Sequence, residues 1–145
     1  MALPKAEDLD QIEEIEQQWA VKAMHHAETY YSLLEKYDCT KMRLTKIDDE
    51  LYEDFRKTFP HINVELLDEE DFKSPSAKEA WREFINRYEN RVRDYNFGSL
   101  LRKDYREGYT ESNTMFAMRT QFYCVEVARN KLGLNRVIYK GDASS

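Results

Sequence analysis

Glycine and proline are scarce, with four Gly and three Pro in 145 residues. So few turn formers leave little room for many hairpins or long Gly-rich loops. The four glycines stand apart, at positions 98, 108, 133 and 141. There is no G-x-G-x-x-G, no Walker-type loop, no G-x-S-x-G elbow and no H-E-x-x-H. A backbone cradle for phosphate therefore has no obvious place. Cysteine is rarer still. Cys39 and Cys124 sit in no metal or redox spacing, which argues against a zinc module or a disulfide scaffold. A reducing compartment, cytoplasmic or also nuclear, is the expectation. No apolar run approaches the length of a membrane span. Residues 1–12 hold no apolar stretch of signal-peptide type.

Charge and aromatic rings are abundant. Charged residues make up 34% of the chain, and ten Tyr, seven Phe and two Trp bring aromatics to 13%. Rings offer large areas to bury, so the low overall hydropathy does not imply disorder. The net charge of −6 is uneven: residues 1–75 balance at −10 and residues 76–145 at +4. Such a domain can present faces of opposite sign.

Hydrophobic periodicity predicts helices. Ile12, Ile15, Trp19, Ala23, Ala27, Tyr30 and Leu34 fall on one face of a first helix, spanning about Asp8 to Tyr37. Ile47, Leu51, Phe55 and Phe59 stripe a second, with Thr45 and Asp48 as a capping box and Pro60 as its stop. Ile62, Val64 and Leu66 alternate and read as a short extended piece, followed by an acidic turn. A third helix is expected to start at Ser76, closed by Glu79, and to carry Trp81, Phe84, Tyr88, Val92 and Tyr95. Asn96-Phe97-Gly98 interrupts it, and Leu100-Leu101-Arg102 is expected to resume as helix. The last helix is expected from Asn113 or Thr114, with Gly133 as its C-terminal cap. Val137-Ile138-Tyr139 would dock as an extended tail. The expected fold is all-α: one compact domain over residues 11–140, with four main helices and short extra helical or extended pieces. Residues 1–10 would be partly flexible and 141–145 disordered.

No catalytic group stands out. His25 and His26 are adjacent, so on a helix they point about 100° apart and cannot chelate one metal. His61 has no partner in sequence. Cys124, in Phe122-Tyr123-Cys124-Val125, reads as a gap-filling thiol. Asp48, Asp49 and Glu50 do not converge on a helix and form no acid–base pair. No enzyme activity, cofactor or metal is expected. Arg82, Arg87, Arg91, Arg93, Arg102, Lys103 and Arg106 interleave with Tyr88, Tyr95, Phe97 and Tyr105, the pattern of a single-strand binder. Two of those tyrosines belong to the core stripe, and the chain is acidic overall, so direct nucleic-acid binding is not expected. The broken helix at Asp94–Arg106 is the place where local rules fail, which suits either a helix corner or a partner-binding patch.

At these residues a family likeness appears. It rests on Asp94-Tyr95-Asn96-Phe97-Gly98-Ser99-Leu100-Leu101-Arg102, then Glu107-Gly108-Tyr109-Thr110-Glu111-Ser112-Asn113-Thr114, then Arg119-Thr120-Gln121-Phe122 and Glu126-Val127-Ala128-Arg129-Asn130. Leu44–Asp49 and Ala20–Ala23 fit the same pattern. The chain resembles the polysaccharide biosynthesis domain-containing protein family over about Ile12 to Tyr139. The label suggests sugar chemistry, which the residues do not echo. The resemblance implies instead a small eukaryotic cytosolic chaperone. It would bind, at the ribosome, the nascent GTP-binding domain of translation elongation factor 1-alpha, recruited by the nascent polypeptide-associated complex. An enzyme or accessory protein of polysaccharide biosynthesis, or an RNA- or ribosome-binding adaptor, is the alternative. The client patch is placed on Tyr95, Asn96, Phe97, Leu101, Arg102, Tyr109, Asn113, Arg119 and Asn130. On that reading Arg102→Glu leaves melting intact and lowers client capture.

Overall fold

The computed structural model describes residues 12–141, with side chains from Trp19 onward. The expected loose ends lie outside the described residues, Gly141 apart.

The first helix, α1, spans Ile12–Lys36. Its expected face is the buried one: Trp19, Ala23, Ala27, Tyr30 and Leu34 all point inward. Helix α2 spans Asp48–Thr58. The Asp48 carboxylate accepts from the backbone N–H groups of Leu44 and Thr45 at 2.8 and 2.7 Å, which ties the preceding loop to its first turn. A one-turn helix, α3, covers Glu70–Lys73, and α4 covers Pro75–Asn86. The expected Ser76 cap is corrected to Ser74, whose hydroxyl accepts from the Ala77 N–H at 3.2 Å with Pro75 as the first helical residue. That is the better arrangement, since Pro loses nothing at a position whose N–H has no helical partner.

The long third helix stops at Asn86. Residues 87–97 run in successive turns, closed by bonds such as Val92 N–H to Tyr88 carbonyl at 2.9 Å. These turns keep a near-helical spacing, so Tyr88 and Val92 still reach the core. Asp94 then takes φ 58, a left-handed conformation that ends the run.

The all-α expectation is overturned here. Gly98–Arg102 is a strand, β1, and Thr114–Met118 is a second, β2. They form a two-stranded antiparallel sheet, with Gly98 opposite Met118, Leu100 opposite Phe116 and Arg102 opposite Thr114. Among the described residues the architecture is therefore five helices built around a small sheet. Every residue of β1 is buried, so the strand shows no alternation of polar and apolar residues. A strand covered on both faces looks like a piece of buried helix in sequence. Helix α1 lies across one face, where Ala23 and Ala27 are small enough to bring it down onto Leu100. Helix α5, Arg119–Lys131, covers the other. It starts five residues later than Thr114, because the stretch expected as its first turn is β2. Gly133 does end its run, at φ 74. The expected extended tail is corrected to a 3-10 turn over Leu134–Val137, and Lys140 N–H then bonds to the Glu35 carbonyl at 2.9 Å.

The main core lies between α2, α4 and α5. Trp81 is its hub, stacked on Phe59 at 4.0 Å and Phe72 at 5.4 Å between ring centroids. Its indole N–H donates to the Asp71 carbonyl at 3.0 Å, so the ring is buried without an orphaned donor.

Candidate functional site

Five elements converge on a buried carboxylate. Glu126 sits on α5 inside the run Val125-Glu126-Val127 and is fully buried. Its Oε1 accepts from the Tyr30 hydroxyl at 2.8 Å, Asn135 Nδ2 at 3.0 Å and Arg102 Nη2 at 3.1 Å. Its Oε2 accepts from Arg129 Nη1 at 2.7 Å. Arg129 also donates to the backbone carbonyls of Val64 at 2.7 Å and Arg102 at 2.8 Å. Arg102 donates further to Asn135 Oδ1 at 2.6 Å and the Tyr105 carbonyl at 2.7 Å. Asn130 Nδ2 donates to the Tyr30 hydroxyl at 3.2 Å, and its Oδ1 accepts from Asn135 at 2.7 Å. The cluster ties α1, β1, α5, the 64–67 segment and the 3-10 turn after α5 into one network.

The electrostatics follow from that geometry. Burial alone would raise the Glu126 pKa, but the two guanidinium groups overcome it and hold it down at about 2. Tyr30 is pushed well above its ordinary value by burial and by Glu126. Tyr109 rises for the same reasons. Both phenols therefore stay protonated, and neither is a ready base. Two arginines against one glutamate leave a net interior charge of +1. A buried group of this kind costs desolvation, so what it offers is geometric definition rather than cheap stability.

The nine residues expected to form one patch divide between interior and surface. Leu101 and Arg102 have no exposed area, and Asn113 and Asn130 are 5% and 3% exposed. Their placement on an open surface is corrected. Leu101 belongs to the core, and Arg102 and Asn130 to the Glu126 network. Asn113 organises the loop between the strands, its amide bridging the Asp104 and Gly108 carbonyls at 3.0 Å each. Tyr109 packs edge-on to Tyr31 of α1, half-buried.

Tyr95, Asn96, Phe97 and Arg119 come together at the start of α5. The carbonyls of Phe97 and Tyr95 accept the N–H groups of Arg119 and Thr120 at 2.8 and 3.1 Å, so the corner itself caps the helix. Arg119 Nε donates to the buried Ser99 hydroxyl at 2.8 Å. Sequence reasoning missed four neighbours. Phe116 is 52% exposed, with its ring 4.5 Å from that of Trp19. Trp19 lies so close over Gly98 that a Cβ there would overlap the indole. His26 stacks edge-on to Phe122, and its pKa is pushed down to about 4 by burial and by Arg119. Ser99 is the fourth. Trp19 and Phe116 were legible as apolar positions, but nothing in one sequence says that they meet.

Elsewhere, two concavities of about 280 and 300 Å³ open on the surface. The first holds Asp48 and Asp49, but Asp48 is spent on backbone N–H groups and Asp49 pairs with Lys131. The second holds His61, Glu70 and Asp71, with His61 3.7 Å from Asp71. Among the described residues no three His, Cys, Asp or Glu converge as a metal would need. No described helix is long and apolar enough to cross a membrane.

Known proteins resemble the chain along nearly its whole length. The family model described as PBDC1 protein matches residues 15–140. Protein PBDC1 of Homo sapiens is 47% identical over 139 residues, covering 96% of this chain and 59% of that protein. The chain thus spans well under two thirds of the human relative. The Protein PBDC1 homolog of Saccharomyces cerevisiae is 47% identical over 139 residues, covering 93% of this chain and 95% of its own. A solution NMR structure of a Saccharomyces cerevisiae protein superposes with a TM-score of 0.81 at 46% identity, over 95% of this chain and 97% of that one. The chain belongs to the PBDC1 protein family, in keeping with its likeness to polysaccharide biosynthesis domain-containing proteins.

Proposed function

We propose that the chain is a client-specific, co-translational chaperone acting in the cytoplasm. Its client is the nascent GTP-binding domain of translation elongation factor 1-alpha, and the nascent polypeptide-associated complex recruits it at the ribosome. The client identity comes from the family resemblance. One observation carries the binding reading: a rigid corner with Phe97 exposed at 38% next to the half-buried Arg119, and Phe116, exposed at 52%, on Trp19 further back along β2. Rings and a guanidinium held in place lose little entropy on binding, which is the signature of an interaction hot spot. The Glu126 network fixes β1 and α5 beneath the corner, so the surface is preformed. The client contacts then reduce to Tyr95, Asn96, Phe97 and Arg119, joined by Phe116, with Arg102 and Asn130 supporting them from inside.

The test is capture of the newly made GTP-binding domain in a translation extract. Native chain co-purifies with ribosomes displaying that domain. The pair Phe97→Ala and Phe116→Ala keeps its helical signal and loses most of the capture. Full capture by the pair would refute this surface, and no capture by the native chain would refute the chaperone reading.

A further inference from the structure

We propose that Arg119 is a carboxylate receptor: it takes an acidic side chain of the bound polypeptide, while the neighbouring Phe97 takes an apolar side chain beside it. This rests on the reading that the corner binds polypeptide and adds the chemistry that it selects.

Arg119 is held in place. Its backbone N–H is bonded to the Phe97 carbonyl and its Nε to Ser99, each at 2.8 Å. Among the described residues Nη1 and Nη2 have no protein acceptor, and no carboxylate pairs with the group. Six other arginines do pair with an acid. Arg43, Arg82 and Arg93 do not, but they are exposed and water solvates them, and the half-buried Arg56 gives its Nη1 to the Ile62 carbonyl at 2.9 Å instead. Arg119 is half-buried, so water serves it less well and a counter-charge is worth more there.

A guanidinium fork is complementary to an anion. One planar fork suits a single carboxylate, which it can hold bidentately. The flanking apolar rings and the net charge of −6 both oppose a polyanion such as RNA.

The experiment uses the full chain and three fluorescein-labelled probes followed by anisotropy. They are a decapeptide of Leu-Asp-Phe repeats, its counterpart with every Asp changed to Asn, and a twelve-nucleotide RNA. The Asp peptide is expected to bind at least tenfold more tightly than the Asn peptide. Arg119→Gln erases that preference, Arg119→Lys keeps part of it, and Phe97→Ala weakens both peptides alike. Melting curves confirm that each variant is folded. Equal affinity for the two peptides, a preference retained in Arg119→Gln, no binding of the Asp peptide, or tighter binding of RNA would each overturn the proposal. The ribosome capture assay separates the two readings. If capture fails while Asp is still preferred, only the chaperone reading falls. If capture survives Arg119→Gln undiminished, only the receptor falls.

Discussion

Replacing Glu126 by Gln tests the interior most directly. The side chain keeps its shape and loses its charge. An amide can present its oxygen to only one side of the site. With the oxygen toward Tyr30, Asn135 and Arg102, the amide nitrogen faces Arg129 Nη1, donor against donor. The reverse orientation sets it against three donors. The charge-assisted bond to Arg129 is lost in the better case, and two buried guanidinium groups remain without a counter-charge. Breaking a buried ion pair by removing one partner costs about 3–5 kcal/mol. A domain of this size is stable by roughly 5–15 kcal/mol, so the loss takes a large share. With a urea slope of about 2 kcal/mol per molar, the midpoint falls by about 2 M at pH 7. Urea titration followed by tryptophan fluorescence and circular dichroism measures it. The acid limb gives a second check. The folded Glu126 pKa is about 2, below the ordinary 4.5. Its stabilisation is therefore complete above pH 4.5 and is lost as pH falls toward 2. The variant lacks that component. A loss under about 1 kcal/mol at pH 7 would mean that the network does not work as an ion-paired unit.

Arg102→Glu should prevent folding rather than spare it, because the new carboxylate would face Glu126 in the fully buried site that Arg102 occupies; native-like melting would refute the burial. Gly98→Ala should lower the melting temperature sharply, since the added Cβ overlaps the Trp19 indole. Adding Trp19→Ala to the same chain should recover part of the loss, and an absence of recovery would show that the indole is not the obstacle. His26 gives a pH signature: its folded pKa of about 4 lies below 6.5. Its contribution is full above pH 6.5 and is lost as pH falls toward 4, by about 1 kcal/mol once the half-exposed ring's solvent screening is allowed for. His26→Phe keeps the contact with Phe122 and should flatten that window in denaturation curves taken from pH 7 to 4. An unchanged slope would exclude His26 as the cause.

Amphipathic periodicity is a local property, and wherever the fold obeyed it the residues alone were enough. The α1 stripe from Trp19 to Leu34, the α2 stripe from Leu51 to Phe59 and the Gly133 stop are all of this kind. The same rule misread Leu100-Leu101-Arg102 and Met115–Met118. Apolar character shows that a segment is buried, but the partner across from it decides whether it is strand or helix. Arg102 shows the same division. Its charge suggested a surface, and only the arrival of Glu126 from 24 residues away, with Asn135 and the Tyr105 carbonyl, makes an interior position tolerable. The signal was present in part: Glu126 and Arg129 are three apart in an apolar run, the spacing of a buried helical pair.

Residue types and their spacing determined the buried stripes of α1 and α2, the lack of a phosphate-loop motif and the likeness to a family. Tertiary structure decided which charges face inward and which rings stay outside. Trp19 over Gly98, Phe116 beside it and Arg119 tethered to Ser99 become one corner only when α1 crosses the sheet. Burial and ion pairing depend on distances through space, and a single chain of letters records only distances along itself.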